Sequence, residues 1–285
     1  MISEAKRWRI IDLINWGEEH FTQKDIDNAR FEMEWFLCHV LNYKRIDLYI
    51  RFEDILCEKD LFKLRKMVQR RLAGEPFQHI ISKGSFYGRD FIIDKNVLVP
   101  RPETEIIIER LKLKEKINSL LDIGTGSGCI AITASLEGLA KNIFATDISP
   151  RAVKIAKKNM NFLKADNIQF SVHDFLQSPF NTKFDVVVSN PPYIAINQFH
   201  NLQIEVRDYD PLTALTDNRD GLTFYRKFSN QFDKLLNPNG ILILEFGGKE
   251  QKLHIEHIFS SNKLTTHFYK DLQNQWRVVE VRRCS

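Results

Sequence analysis

Apolar residues recur at intervals of three and four through the first quarter of the chain. Ala29, Met33, Phe36, Leu37, Val40 and Leu41 fall on one helical stripe, and Leu61, Leu64, Val68 and Leu72 on a second, so the spacing predicts amphipathic helices. Gly74 and Pro76 then supply a stop signal. From about residue 78 to residue 100 the pattern changes to short β-like runs, "FQHII", "GSFYG", "DFIID" and "NVLVP", broken by Gly and Asp, which read as a hairpin-like linker. Beyond residue 101, strands are predicted at "SLLDI", "NIFATD", "IQFSV", "FDVVVS" and "GILILEF". Helices are predicted over residues 129–137, 149–163, 221–235 and 249–259. Such alternation implies a mostly parallel sheet covered on both faces. Two closing runs, "LTTHFYKD" and "QWRVVEVRR", read as a final β-hairpin. The expected organisation is a helical segment over residues 1–75, a hairpin linker over 76–100 and an α/β domain over 101–285.

At 285 residues the chain is long enough for two domains, and 43% hydrophobic with 27% charged residues is the balance of a folded chain rather than a disordered one. No run of eighteen apolar residues is present, which argues against a membrane-spanning helix. The first twenty residues place acids on both sides of a short apolar stretch, unlike a secretory signal. A cytoplasmic location is therefore expected. Cys38, Cys57, Cys129 and Cys284 are scattered without a CxxC pair, and the histidines show no HExxH spacing. Reduced thiols and no metal role are expected. Residues 1–80 carry 14 Lys/Arg against 14 Asp/Glu, so the helical segment lacks the basic excess of a nucleic-acid-binding arm. The run "KLRKMVQRR" (residues 63–71) is locally basic, and a solvated helix face explains it.

Chemistry enters at the strand ends. After "SLLDI" comes "GTGSG": Gly124, Thr125, Gly126, Ser127 and Gly128, then a helix. Glycines at a strand-to-helix turn let a ligand approach the backbone closely. The spacing is GxGxG with Cys129 where a dinucleotide fingerprint needs its third glycine, and the GK[ST] of a P-loop is absent. Asp147 closes the next strand, where an acid can accept from ribose hydroxyls. Asp174 and Phe175 follow the third, a pair suited to an exocyclic amine and the face of a purine. Asn190 ends the fourth, and together these residues point to a nucleoside ligand without phosphates that all of them, Asn190 included, would help to bind; S-adenosylmethionine fits that description.

The fourth strand runs into "SNPPYI". Neither Pro191 nor Pro192 can donate a backbone hydrogen bond, and each fixes its own φ, so the chain is stiff where a loop could be soft. A carboxamide or aromatic amine is a poor nucleophile because its lone pair is delocalised. Two acceptors gripping its N–H groups can aim that lone pair at an electrophile. The Asn190 side-chain oxygen and the Pro191 carbonyl suit this role, Pro192 keeps the corner rigid, and Tyr193 can cover one face of the planar group. Catalysis would then come from positioning and preorganised dipoles, without an obligatory base.

"NPPY" after the fourth strand of a "DIGTGSG" domain resembles the amino-methyltransferases that act on planar nitrogen in DNA adenine, ribosomal RNA guanine or protein glutamine. Residues 86–105 ("FYGRDFIIDKNVLVPRPETE"), 205–215 ("EVRDYDPLTAL") and 220–226 ("DGLTFYR") narrow this to a resemblance to the peptide chain release factor glutamine methyltransferases, the HemK/PrmC family. The resemblance implies a class I S-adenosylmethionine-dependent methyltransferase domain, doubly wound with a mostly parallel seven-stranded sheet, behind a small all-α amino-terminal domain. It implies methylation of N5 of the glutamine in the GGQ motif of class I release factors, which the helical domain helps to recruit.

Carried over position by position, the resemblance puts Gly124 to Gly128 around the methionine part of the cofactor, Asp147 on the ribose, and Asp174 with Phe175 at the adenine. Asn190, Pro191, Pro192 and Tyr193 would hold the glutamine amide, and Arg101 and Glu103 would frame the mouth. Phe246 stands where the family tends to carry a smaller aliphatic residue, a departure that touches strand packing only. Neither membrane nor direct nucleic-acid binding is expected. The alternative acceptor is an exocyclic amine of adenine or guanine in nucleic acid, against which the helical segment's lack of net charge counts. A catalytically idle scaffold is disfavoured by the intact "NPPY" and "GTGSG".

Overall fold

The structure is a computed structural model and describes residues 7–284. The chain divides into two compact units, Met1–Ser82 and Lys83–Ser285. In the first, α1 (Ile10–Thr22), α2 (Ala29–Leu41), α3 (Arg45–Ile50), α4 (Glu58–Leu72) and α5 (Phe77–Ile81) enclose a core that includes Ile14, Phe21, Met33, Phe36, Leu37, Leu64 and Val68. α1 and α2 meet closely at Gly17, where a Cβ would lie 2.3 Å from Met33 Cγ.

Three expectations are corrected here. "FQHII" is the helix α5, not a β-like run, because its apolar residues face the helical core. The Phe77 ring lies 5.2 Å from that of Phe36, and Ile80 is buried; tertiary packing sustains a helix this short. "NVLVP" forms a turn with Val97 and Val99 buried, not a strand. The basic run of α4 is not wholly solvated either. Arg71 falls on the stripe of Leu64 and Val68, is buried, and donates from Nε to Glu32 Oε2 at 2.6 Å.

The second unit opens with the hairpin β1 (Lys83–Phe86) and β2 (Arg89–Ile92), closed by Tyr87 and Gly88, both at positive φ (51° and 71°). Two-residue hairpin turns of this hand need that conformation. There follow α6 (Glu105–Lys112), β3 (Ile117–Ile123), α7 (Cys129–Leu136), β4 (Ala140–Asp147), α8 (Pro150–Leu163), β5 (Ile168–Val172) and β6 (Phe184–Ser189). The chain continues through α9 (Ile204–Tyr209), α10 (Leu212–Leu215), α11 (Thr223–Leu235), β7 (Leu236–Glu245), α12 (Lys249–Ser260), β8 (Leu264–Lys270) and β9 (Trp276–Arg283).

The seven strands lie in the order β5-β4-β3-β6-β7-β9-β8. β5, β4, β3, β6 and β7 are parallel, and β9 runs antiparallel to both β7 and β8. Alternation works as strand geometry requires. Leu121, Val187 and Leu244 pack with α11 and α12 on one face, while Leu120, Val186, Val188 and Ile243 pack with α6 and α7 on the other. The order reverses between β3 and β6, and ligands of such sheets bind outside the carboxyl ends at that switch point. Among the described residues no helix is long and apolar enough to cross a membrane.

Candidate active site

The glycine turn leaves β3 at the switch point. Gly124, Gly126 and Gly128 all have positive φ (75°, 55° and 83°), the region that favours glycine. They serve different ends. A Cβ at Gly124 or Gly126 would meet nothing within 4 Å, whereas one at Gly128 would lie 2.8 Å from Ile132 Cδ1 and 3.1 Å from Ala156 Cβ. The first two leave room in front of the backbone, and the third lets α7 pack on α8. The turn is tied to β4: the Gly124 and Thr125 N–H groups donate to the Thr146 carbonyl at 2.8 and 2.9 Å.

Asp147 continues this anchoring. Its Oδ2 accepts from Gly126 N and its Oδ1 from Ser149 N, both at 2.9 Å. Burial raises its pKa, opposed by those two N–H donors. Beneath the turn, Asp122 is fully buried and accepts from Thr125 Oγ1 at 2.7 Å. Burial pushes its carboxyl up to about 7 against that hydrogen bond.

One cavity collects most of the residues singled out above. Gly124, Thr125, Gly126, Ser127, Asp147, Asp174, Phe175, Asn190, Pro191 and Pro192 line it, and Gly128 does not. Asp174 Oδ1 is also engaged by the Leu176 and Gln177 N–H groups, at 2.9 and 3.2 Å. Phe175 is 3% exposed and packs 4.5 Å from the Phe228 ring, so it belongs to the aromatic core as well as to the cavity wall.

A second, polar cavity adjoins the first through Leu98, Arg101, Asn190 and Ala214. Tyr193, Glu103 and Glu245 line it. Asn190 thus stands on the partition between the two. The corner it belongs to is held from several directions. Tyr193 O accepts from Gln251 Nε2 at 2.7 Å, and Ile194 N donates to Leu215 O at 3.0 Å. Gly221 packs so tightly here that a Cβ would lie 2.2 Å from Tyr193 O. Its loop is fastened by Asp217, which accepts from the Arg219, Gly221 and Thr223 N–H groups. The "DGLTFYR" segment is therefore a buttress for "NPPY".

Behind the corner, Asn190 Nδ2 donates to Thr104 Oγ1 at 3.1 Å, and Thr104 Oγ1 donates to Glu245 Oε2 at 2.6 Å. Burial pushes the Glu245 carboxyl up to about 7, opposed by the Thr104 hydroxyl. Burial also raises the Tyr193 phenol, whose hydroxyl lies 3.4 Å from Glu245 Oε1. Among the described residues, Asn190 Oδ1 and the Pro191 carbonyl accept no hydrogen bond. Arg101 lies at the junction of the cavities and pairs with Asp210 at 3.1 Å; burial pushes that carboxyl up to about 6, with Arg101 pulling the other way.

Thr104 and Glu245 are the members that reading the sequence missed. Thr104 lay inside a stretch noted only for its resemblance. Glu245 did carry a signal: an acid at the carboxyl end of the apolar run "GILILEF" is placed like Asp122 and Asp147.

Residues 12–81 match the PrmC N-terminal domain family, and residues 113–278 a methyltransferase domain family. The release factor glutamine methyltransferase of Geobacter sulfurreducens is 36% identical over 248 residues, covering 87% of each chain. That of Chlorobaculum tepidum is 36% identical over 259 residues, covering 85% of this chain and 86% of the relative. A methyltransferase from Pyrococcus furiosus of known structure aligns with a TM-score of 0.52 at 18% identity, over 79% of this chain and 98% of that one, a likeness of fold.

Proposed function

This chain belongs to the release factor glutamine methyltransferase family, and we propose that it moves a methyl group from S-adenosylmethionine to N5 of the glutamine in the GGQ motif of class I peptide chain release factors, in the cytoplasm. The open space before Gly124 and Gly126 supports a ligand at the glycine turn. In this reading Gly124, Thr125, Gly126 and Ser127 hold the methionine end, and Gly128 sets the helix start behind them. Asp147 takes the ribose hydroxyls, and Asp174 with Phe175 the adenine. The cofactor supplies a methyl group on sulfonium, which is already electrophilic.

The work left to the protein concerns the acceptor. The observation that carries the reading is a pair of acceptors without a partner among the described residues: Asn190 Oδ1, on the partition between the two cavities, and the carbonyl of Pro191, a residue that lines the first. They would take the two N–H groups of the glutamine amide and turn its lone pair toward the cofactor cavity. Pro191 and Pro192 keep that geometry stiff, and Tyr193 covers the amide plane. On transfer the nitrogen would gain the methyl carbon as that carbon's bond to sulfur breaks, leaving a neutral thioether, and would release one N–H proton to water. Positioning of this kind needs no strong base.

The helical unit would recruit the factor away from the methylated loop, since specific interfaces bury about 1,200–2,000 Å², more than one glutamine offers. Nucleic acid as the acceptor is not favoured: residues 1–80 carry 14 basic and 14 acidic residues, and the relatives above are named for release factor glutamine. The test is to supply labelled S-adenosylmethionine with release factor, ribosomal RNA and DNA in separate reactions. The label should appear on the factor, and peptide mass spectrometry should place one methyl on the GGQ glutamine. Label on nucleic acid with none on the factor would overturn the reading.

A further inference from the structure

The Asn190 carboxamide has two nearly isosteric ends, and only the oxygen end can accept from an incoming N–H. Something must decide which end faces the acceptor. Donor and acceptor polarity along three side chains supplies a means. A carboxylate oxygen that carries no proton only accepts, as both Glu245 oxygens do above about pH 7, and a hydroxyl has one proton to give. Thr104 spends that proton on Glu245 Oε2 at 2.6 Å. Its oxygen can then only accept from Asn190, which it does from Nδ2 at 3.1 Å. With the nitrogen end held at Thr104, the oxygen end is left for the acceptor.

Both partners are placed at some cost. Thr104 stands at the amino end of α6, where a threonine hydroxyl usually caps the helix, yet it makes no capping bond. Glu245 is 1% exposed at the end of β7, and burying a carboxylate without an ion partner is unfavourable. Glu103 from the turn before α6, Arg277 from β9 and Tyr193 all face it. The β6–β7 register pairs Ser189 with Leu244, which sets Asn190 and Glu245 at the next position on adjacent strands. We propose that Thr104 and Glu245 are positioning residues for methyl transfer, locking the Asn190 amide with its oxygen toward the acceptor nitrogen.

This rests on the gripping role of Asn190 and is tested beside it. Thr104→Val keeps the volume and removes the hydroxyl; it should lower kcat by ten- to a hundredfold, the scale of a small misplacement at a reacting group, while cofactor affinity by calorimetry stays near wild type. Thr104→Ser restores the hydroxyl and should recover most of that loss. A second measurement does not depend on turnover. The Asn190 side-chain NH2 signals in NMR spectra, identified by their absence from Asn190→Ala, should be protected from solvent exchange in wild type and Thr104→Ser. They should lose that protection in Thr104→Val and Glu245→Leu. Unchanged kcat in Thr104→Val while Asn190→Ala is inactive would overturn the relay alone, as would a loss that serine does not restore or NH2 protection that survives Thr104→Val. Full turnover in Asn190→Ala would instead overturn the grip on which it rests.

Discussion

The glycine turn and the "NPPY" corner both sit at strand ends of one sheet, yet they are held in opposite ways. The turn is fastened by near neighbours: Thr125 bonds Asp122 three residues back, and Gly126 bonds Asp147 across a separation of 21. One strand–helix–strand unit contains all of it. The corner is fastened from afar. Asn190 reaches Thr104 across 86 residues, Thr104 reaches Glu245 across 141, and Tyr193 is held by Gln251 across 58. On the proposed reading, a cofactor site is built locally, while a site that must aim an uncharged, reluctant nucleophile draws on the whole domain. Changes to the turn should act on cofactor affinity. Changes to the corner, even distant ones, should act on rate.

The sharpest break is Asn190→Ala, which removes one preorganised acceptor and should cut kcat by about 10²–10³, with cofactor affinity changing far less. Steady-state kinetics beside calorimetry checks the split; equal losses in both would merge the two regions. Next comes Gly221→Ala. Its φ of 76° and a Cβ 2.2 Å from Tyr193 O combine left-handed strain with overpacking, which together cost roughly 3 kcal/mol. Urea unfolding should show that loss, and the folded fraction should bind cofactor normally but turn over slowly. Normal turnover would mean that the buttress does not set the corner.

Asp147→Ala attacks the local side. Loss of hydrogen bonds to a charged group costs about 1.5–3 kcal/mol, so cofactor affinity should fall roughly ten- to a hundredfold. At saturating cofactor kcat should be nearly restored; a kcat that stays low would break the division.

A last effect concerns pH. Asp122 and Glu245 are pushed up to about 7 and Asp210 to about 6, all by burial. Between their unfolded values near 4 and these folded values, the native state binds more protons than the unfolded chain. Stability therefore falls as pH rises through that window, by at most about 1.4 kcal/mol per pH unit for each group. Carboxylates with lowered values, such as Asp220 at about 2, act only below it. Urea midpoints should be higher at about pH 5 than at about pH 7.5, and Glu245→Gln should flatten the slope. A rise over the same interval would contradict the burial of these acids.

Legible in the chain alone are the alternation of strands and helices, the glycine turn and the stiff corner at strand ends, and Asp147 as the acid beside the turn. Each follows from periodicity or from the chemistry of neighbouring residues, and local backbone preferences act without help from the rest of the chain. The remainder came from packing between distant segments. "FQHII" became helix because Phe77 and Ile80 found a helical core, and Arg71 left the solvent because Glu32 lay opposite. Gly128 serves packing because α8 passes behind it. Glu245 stands beside Asn190 only through the register of β6 on β7. Strand register and helix contacts join residues far apart in the chain, and their energies depend on which surfaces meet, a property that no short stretch of sequence carries.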